Sequence, residues 1–600
     1  MATELKIPKR SDLDKASCWS TEDIFPSDAA WAEEFEACQS LPAQAAAFQG
    51  RLGESAQTLL DYLTFNEATD SRVELLYVYA MLKHDEDTAN PEYQAMQGRC
   101  FSFLTQLSAA GAFAGPELVA IPEETLNGFY APLPALEKYR RFLTKSRLEK
   151  DHILSPGEEN LLAAASEICR GPANIFNSFH DADMKFPSVA DSQGNLHPLT
   201  NGSYISLMES PDRTLRENAF KAYYAVYSSS RNALAAMINA NVRKDTFYSR
   251  ARKYDSNLAS SLFPVEVPET VYHNLLLAVH QNMDKMYRYM ALRKKAMGLD
   301  ELHMYDIYAS MIPDGNEVIS FEQAKEEVLE ATKILGEEYH QVLKSSFEQR
   351  WMDIRENQGK RSGAYSCGCP IHPFVLLNHK DTLDSEFTLA HEMGHAMHSY
   401  LSNKNQPPIY NGYVLFVAEV ASTCNEALLM QHLLKKTSDK KQRAILINYF
   451  LEQFRTTLYR QTMFADFELK IHRLAESGEM LTAERLCEIY YDLNKLYYGE
   501  DMVVDEEIAM EWARIPHFYR HFYVYQYATG FSAAMALSKR ILEGGEEAVK
   551  DYLKFLSGGC STDPVSLLKI AGVDMSTPQP VNDALALFGD LIGELEELLK

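Results

Sequence analysis

The chain has 600 residues, 46% of them hydrophobic and 24% charged, which are the proportions of an ordinary globular protein with room for several domains and a large core. Its 84 acidic residues outweigh 58 basic ones, and the formal charge of −26 argues against nucleic acid and anionic membrane surfaces as partners. Nine cysteines, an odd number without paired spacing, exclude a disulfide framework and predict thiols that are mostly buried and reduced.

The N-terminal stretch MATELKIPKRSDLDKASCW has no apolar core and is not read as a signal peptide. No apolar run anywhere reaches the roughly 18 residues of a membrane span, so a cytoplasmic protein is expected. Residues 20–180 read as successive amphipathic helices, because Leu and aromatic residues recur at helical spacing. Segment 184–208 changes character: β-type runs flank Asp191-Ser192-Gln193-Gly194-Asn195, a hairpin signal. These shifts predict an N-terminal helical region at 1–115, a helical subdomain at 116–208 that ends in the hairpin-like segment, and a large domain at 209–600. Helical periodicity returns at Pro211 and runs to about residue 350.

GKRSGAYSCGC and HPFVLLNH then read as two strands. They directly precede DSEFTLAHEMGHAMHSYLSNKNQPP, a single helix with Asp384 or Ser385 as its cap and Pro407-Pro408 beyond its end. Within it, His391-Glu392-Met393-Gly394-His395 sets two imidazoles four positions apart on one helix face, the spacing that grips one zinc ion. Glu392 lies one position round, where it can reach a water on that metal and take its proton. Gly394 costs a helix interior about 1 kcal/mol relative to Ala, so another group is expected to approach closely there. His398 shares the His395 face but would close the site as a fourth ligand, and it is read as packing.

A third ligand should come from a separate element. YNGYVLFVAEVASTCNEALLMQHLL reads as a return helix, with Glu419 in its most apolar part, where a carboxylate is costly unless paired or metal-bound. Glu426 follows two turns along the same face and suits a partner that holds a ligand histidine. Residues 440–500 are again helical. The stretch 515–531, aromatic-rich and ending in Ala528-Thr529-Gly530, predicts a mobile loop. SGGCSTDP at 557–564 is a turn before the last helices.

HEMGHAMHS followed by FVAEVAS, preceded by GKRSGAYS and PFVLLN, resembles the thimet-type oligopeptidase family, and within it the oligoendopeptidase F branch. SPDRTLRENAFKAYYAVY at 210–227 and IPHFYRHFYVYQYATGFSAA extend the likeness, which covers roughly residues 120–585. The resemblance implies a mostly α, multi-helix zincin-like metallopeptidase, with a small β-sheet beside the active site and a deep substrate channel. It implies one Zn2+ per chain on His391, His395 and Glu419, with Glu392 as the base and 209–600 as the catalytic domain. His517 and a tyrosine after it would bind substrate and stabilise the oxyanion. Four tyrosines, 519, 523, 525 and 527, compete for that role; Tyr527 is the first choice and Tyr525 the second, with Tyr525 also a substrate-binding candidate. Gly363 and Tyr365 are candidates to line the sheet edge, where an extended peptide can add as a strand through main-chain bonds.

The function expected is endopeptidase cleavage of short unstructured peptides. Two rivals stay open. A zinc carboxypeptidase on a similar scaffold would need a cation for the substrate's free carboxylate, with Arg514 and Arg520 as candidates. A non-catalytic peptide binder would have no need of the base Glu392.

Overall fold

The computed structural model describes residues 7–312 and 318–600, so the first six residues of the N-terminal segment read above lie outside it. The molecule is mostly α-helical, with three small sheets among the described residues. It divides into two compact units, each assembled from separate stretches of chain. Among the described residues, the first comprises 7–150, 318–432 and 537–572, and the second 151–312, 433–536 and 573–600. The blocks expected from the sequence were consecutive, whereas these units interleave. Among the described residues no helix is long and apolar enough to cross a membrane.

In the first unit, Ser55 caps the 31-residue helix Ala56–Glu86 by accepting from Thr58 N–H. Its apolar positions feed separate clusters along its length. Leu59 and Tyr62 pack with Leu126 and Tyr139. Leu76 and Tyr79 pack with Trp31, Met96 and Phe103 of the flanking helices. Val78 and Leu82 pack with Trp19, Phe374 and Leu376 against a three-stranded sheet. The order of that sheet is Met352–Asp353, Phe374–Leu376, Tyr365–Cys367; the first pair is parallel and the second antiparallel. Phe374, Val375 and Leu376 are wholly buried, as expected of a central strand covered on both faces. Tyr365–Cys367 forms an edge. Both strands lie where the sequence puts them.

In the second unit, the expected hairpin forms with Val189 opposite His197 and Ala190 opposite Leu196. Asp191 shapes its turn by accepting from the main-chain N–H of Gln193 and Asn195. Helices Arg213–Ser229, Arg231–Ala251, Arg460–Glu476 and Ala483–Tyr498 supply the body of this unit. Glu511 is buried within it, and Arg460, Arg514 and the Tyr490 hydroxyl surround it at 2.6–2.9 Å.

All nine cysteines are free thiols, four of them buried and five half-buried, so burial is less general than expected.

Candidate active site

The helix that carries the HExxH motif spans Leu383–Asn405. Its cap is Thr382 rather than Asp384 or Ser385: Thr382 accepts from Ser385 N–H, so the cap lies two or three residues before the expected one. The return helix, Leu415–Lys436, crosses it in unusually close contact. A Cβ on Gly394 would lie 2.5 Å from Ser422 Cα and 2.7 Å from the Ala421 carbonyl oxygen, so only glycine lets the two backbones meet here. That crossing explains the glycine in the motif.

The crossing also fixes the ligand geometry. His391 Nε2 and His395 Nε2 stand 3.2 Å apart, and Glu419 Oε2 is 3.4 Å from the first and 3.8 Å from the second. Tetrahedral bonds of about 2.0–2.1 Å from zinc to nitrogen put neighbouring ligand atoms about 3.3 Å apart, so this donor set fits such a cation. The remaining nitrogens are turned away by their own partners. His391 Nδ1 lies 2.6 Å from Glu426 Oε1, and the other nitrogen of His395 faces the main-chain carbonyl of Ala418. Partners of this kind set the ring orientation and leave Nε2 for the centre. Three such donors from two helices would leave a fourth tetrahedral position open on a bound cation.

The charges follow from burial and proximity. Burial disfavours the His391 cation, but hydrogen bonds to Glu419 and Glu426 outweigh this and hold its pKa well above the usual value. Burial, together with the charge of His391, pushes His395 down to about 4. Burial would raise Glu419, but the two histidines hold it below its ordinary value. Glu392 is 7% exposed, and burial, aided by Glu419 and Glu426, lifts its carboxyl to about 7. It accepts a bond from the Ser366 main chain on the edge strand, while its Oε2 is buried without a hydrogen-bond partner. No sequence signal could have revealed the Ser366 contact, because a main-chain N–H carries no side-chain identity. His398 is fully buried and stacks on Tyr413 at 3.8 Å, in the packing role read for it.

Gly363 takes φ +83°, a left-handed turn that leads into the edge strand, and Asn378 donates to its carbonyl. The Tyr365 hydroxyl donates to buried Asp85 at 2.9 Å. With that hydroxyl engaged, the edge strand offers chiefly its main chain.

His517, Tyr523 and Tyr527 belong to the second unit. The Tyr527 hydroxyl is 3.5 Å from His517 Nε2 and 3.4 Å from the Tyr523 hydroxyl, so the three polar tips gather loosely. Burial, with Arg520 nearby, keeps His517 below its usual pKa and therefore neutral. Tyr525 is 1% exposed and packs on Tyr272 at 5.2 Å, so its ring faces the core of this unit. The expected loop over 515–531 is only partly irregular: Pro516–Tyr519 is a 3-10 turn, and from Tyr525 on, Ala528-Thr529-Gly530 included, the chain is helix, in the stretch Tyr525–Leu556 that bends at Gly545. Tyr525, Ala528 and Phe531 are all buried at helical spacing, and that burial overrides the turn-like composition. Of the two cations named for the carboxypeptidase reading, Arg514 is engaged by Glu511 and Arg520 is exposed over the Tyr523 ring.

The model for peptidase family M3 matches residues 206–587. The chain belongs to peptidase family M3. A second model, for oligopeptidase F, matches residues 117–186. Oligopeptidase PepF of Bacillus subtilis is 44% identical over 603 aligned positions, which cover 100% of this chain and 90% of the relative. The crystal structure of oligoendopeptidase-F from Enterococcus faecium matches with a TM-score of 0.75 at 36% identity, over 95% of this chain and 99% of that one. A solved chain from Chlamydophila abortus reaches a TM-score of 0.92 at 35% identity, over 99% and 100%. The peptidase is thus a metallo-oligopeptidase by family, with a metal-type ligand group at its HExxH helix.

Proposed function

We propose that the peptidase is a zinc-dependent endopeptidase that cuts internal bonds of short, unstructured peptides. One observation carries this reading: His391, His395 and Glu419 converge to ligand spacing while the adjacent Glu392 keeps a buried carboxylate oxygen without a hydrogen-bond partner. Zinc bound by the three ligands would supply a Lewis acid and lower the pKa of water. Glu392 takes the proton of the attacking water and delivers it to the leaving amine. The Tyr365–Cys367 edge holds the substrate backbone as an added strand, which accepts many sequences because it reads main chain. In this reading the tyrosine hydroxyl of Tyr527 and the imidazole of His517 donate to the oxyanion.

The engagement of Arg514 by Glu511 leaves Arg520 as the cation that the carboxypeptidase alternative would need for a free carboxylate. Mass spectrometry of a mixed peptide library, with and without a chelator, tests the proposal. Internal cuts that chelation abolishes are expected, and C-terminally amidated peptides should be cut as well as free ones. Loss of cleavage on amidation would favour the carboxypeptidase. Rapid cutting of a long unfolded protein at many sites would refute the size limit.

A further inference from the structure

A second group of metal-type ligands lies wholly within the second unit. Asp245 stands on helix Arg231–Ala251, His472 on helix Arg460–Glu476, and His521 in the irregular link after the turn Pro516–Tyr519. One ligand-type atom from each lies within 4.8 Å of the other two.

The hydrogen bonding of the group is unfinished. Asp245 is 5% exposed; Lys244 Nζ sits 3.1 Å from its Oδ1, while its Oδ2 is buried without a hydrogen-bond partner. His521 Nε2 is likewise buried without one, and the ring bonds to the Asn257 main chain instead. An imidazole that donates from one nitrogen to a carbonyl presents a lone pair at the other. His472 is 1% exposed and has Nδ1 2.9 Å from the Asn257 side chain. Glu468 stands nearby; its Oε1 accepts from Phe522 N–H at 2.7 Å, and burial pushes its carboxyl well up, so it adds no charge of its own. An orphaned carboxylate oxygen and an orphaned imidazole lone pair are costly together in a protein interior, and a shared cation satisfies both. A cavity of about 480 Å³ reaches Asp245 and His521 and is also lined by Lys244, Tyr248 and Tyr519, which gives a hydrated ion a path.

We propose that Asp245, His472 and His521 form a second metal site, of the Zn2+ class, separate from the HExxH centre. Two imidazoles and one carboxylate suit that ion, with water from the cavity completing the shell. The site ties the irregular link to two helices. His521 precedes Phe522, which holds φ at +47°, a left-handed conformation that a bulky residue adopts only when its surroundings impose it. The same segment carries His517 and Tyr523, so the second ion acts as a clamp on their backbone.

The test counts metal in the full chain after equilibrium dialysis against Zn2+. The unsubstituted chain should hold two equivalents. The H391A/H395A double variant should keep one, and its thermal midpoint should rise on adding Zn2+. Adding H521Q or D245N to that background should remove the remaining equivalent and the thermal shift, with the far-UV spectrum unchanged. If D245N, which is buried, disturbs folding, H521Q on the half-buried link carries the test. Two results overturn the site: no zinc held by H391A/H395A, or an equivalent that both H521Q and D245N leave in place. Retention of the first equivalent by D245N in an otherwise unsubstituted chain shows that the HExxH centre stands apart, so the two sites fail or hold separately.

Discussion

In the first unit His391, His395, Glu419 and Glu426 stand on two regular helices, whereas in the second His517 and Tyr523 stand on a short 3-10 turn and an irregular link, with Tyr527 in the first turn of a helix. The helix pair is held by direct backbone contact at Gly394 and Ser422, and the His391 and His395 rings are each buttressed by a second polar group. The link is held differently: Glu468 anchors the Phe522 N–H, and His472 packs on the Phe522 ring at 4.6 Å. Regular elements place side chains by counting residues, so a site built on them is precise with few supports. An irregular link has no such ruler and depends on buried polar groups from neighbouring helices.

The sharpest way to test this contrast is to remove one reacting group from each region without disturbing its support. Glu392→Gln keeps the shape of the side chain and removes the base, so kcat should fall about 10²–10⁴-fold while metal content stays at the unsubstituted level. Metal analysis beside the kinetics decides it, since metal lost with activity would make Glu392 a ligand. Tyr527→Phe should lower kcat about 10²–10³-fold with little change in KM, as expected of a donor used mainly in the transition state. The same measurement on Tyr523→Phe is needed, because the two hydroxyls are 3.4 Å apart. Full kcat in Tyr527→Phe with loss in Tyr523→Phe would move the role to Tyr523.

Within the helix pair, Glu419 and Glu426 separate a ligand from its buttress. Glu426→Ala should weaken metal affinity about 10–100-fold, and Glu419→Ala should weaken it more. Competition against a chromophoric chelator ranks them, and the reverse order would make Glu426 the ligand. The smallest effect concerns the crossing itself. Gly394→Ala puts a methyl group 2.5 Å from Ser422 Cα and should cost about 1–3 kcal/mol in chemical denaturation. Gly412→Ala, where a Cβ meets nothing within 4 Å, should stay within about 0.5 kcal/mol. Equal costs at the two positions would remove the close crossing as the reason for glycine in the motif.

Much of the first region was legible because the physics that shapes it is local. Helical period 3.6 puts His391 and His395 on one face whatever the rest of the chain does, and it put Glu419 and Glu426 on one face of the return helix. The penalty for burying a lone carboxylate singled out Glu419 without coordinates. Strand-like runs predicted Tyr365–Cys367 and Phe374–Leu376, and Asp191 with Gly194 predicted the hairpin. Other features were decided only by contacts between distant parts of the chain. Ala528-Thr529-Gly530 has the composition of a turn, yet burial of Tyr525, Ala528 and Phe531 makes it helix. Tyr525 and Tyr527 are indistinguishable by type, and helical rotation sends the first against Tyr272 and the second toward His517. The bond from Ser366 to Glu392, the interleaving of the units, and the meeting of Asp245, His472 and His521 all require chain segments that no local pattern relates. The sequence by itself determined which residue types and spacings could do chemistry, because spacing on a regular element is geometry. The tertiary structure alone decided which distant groups share a site, because burial and pairing depend on what the rest of the chain brings beside them.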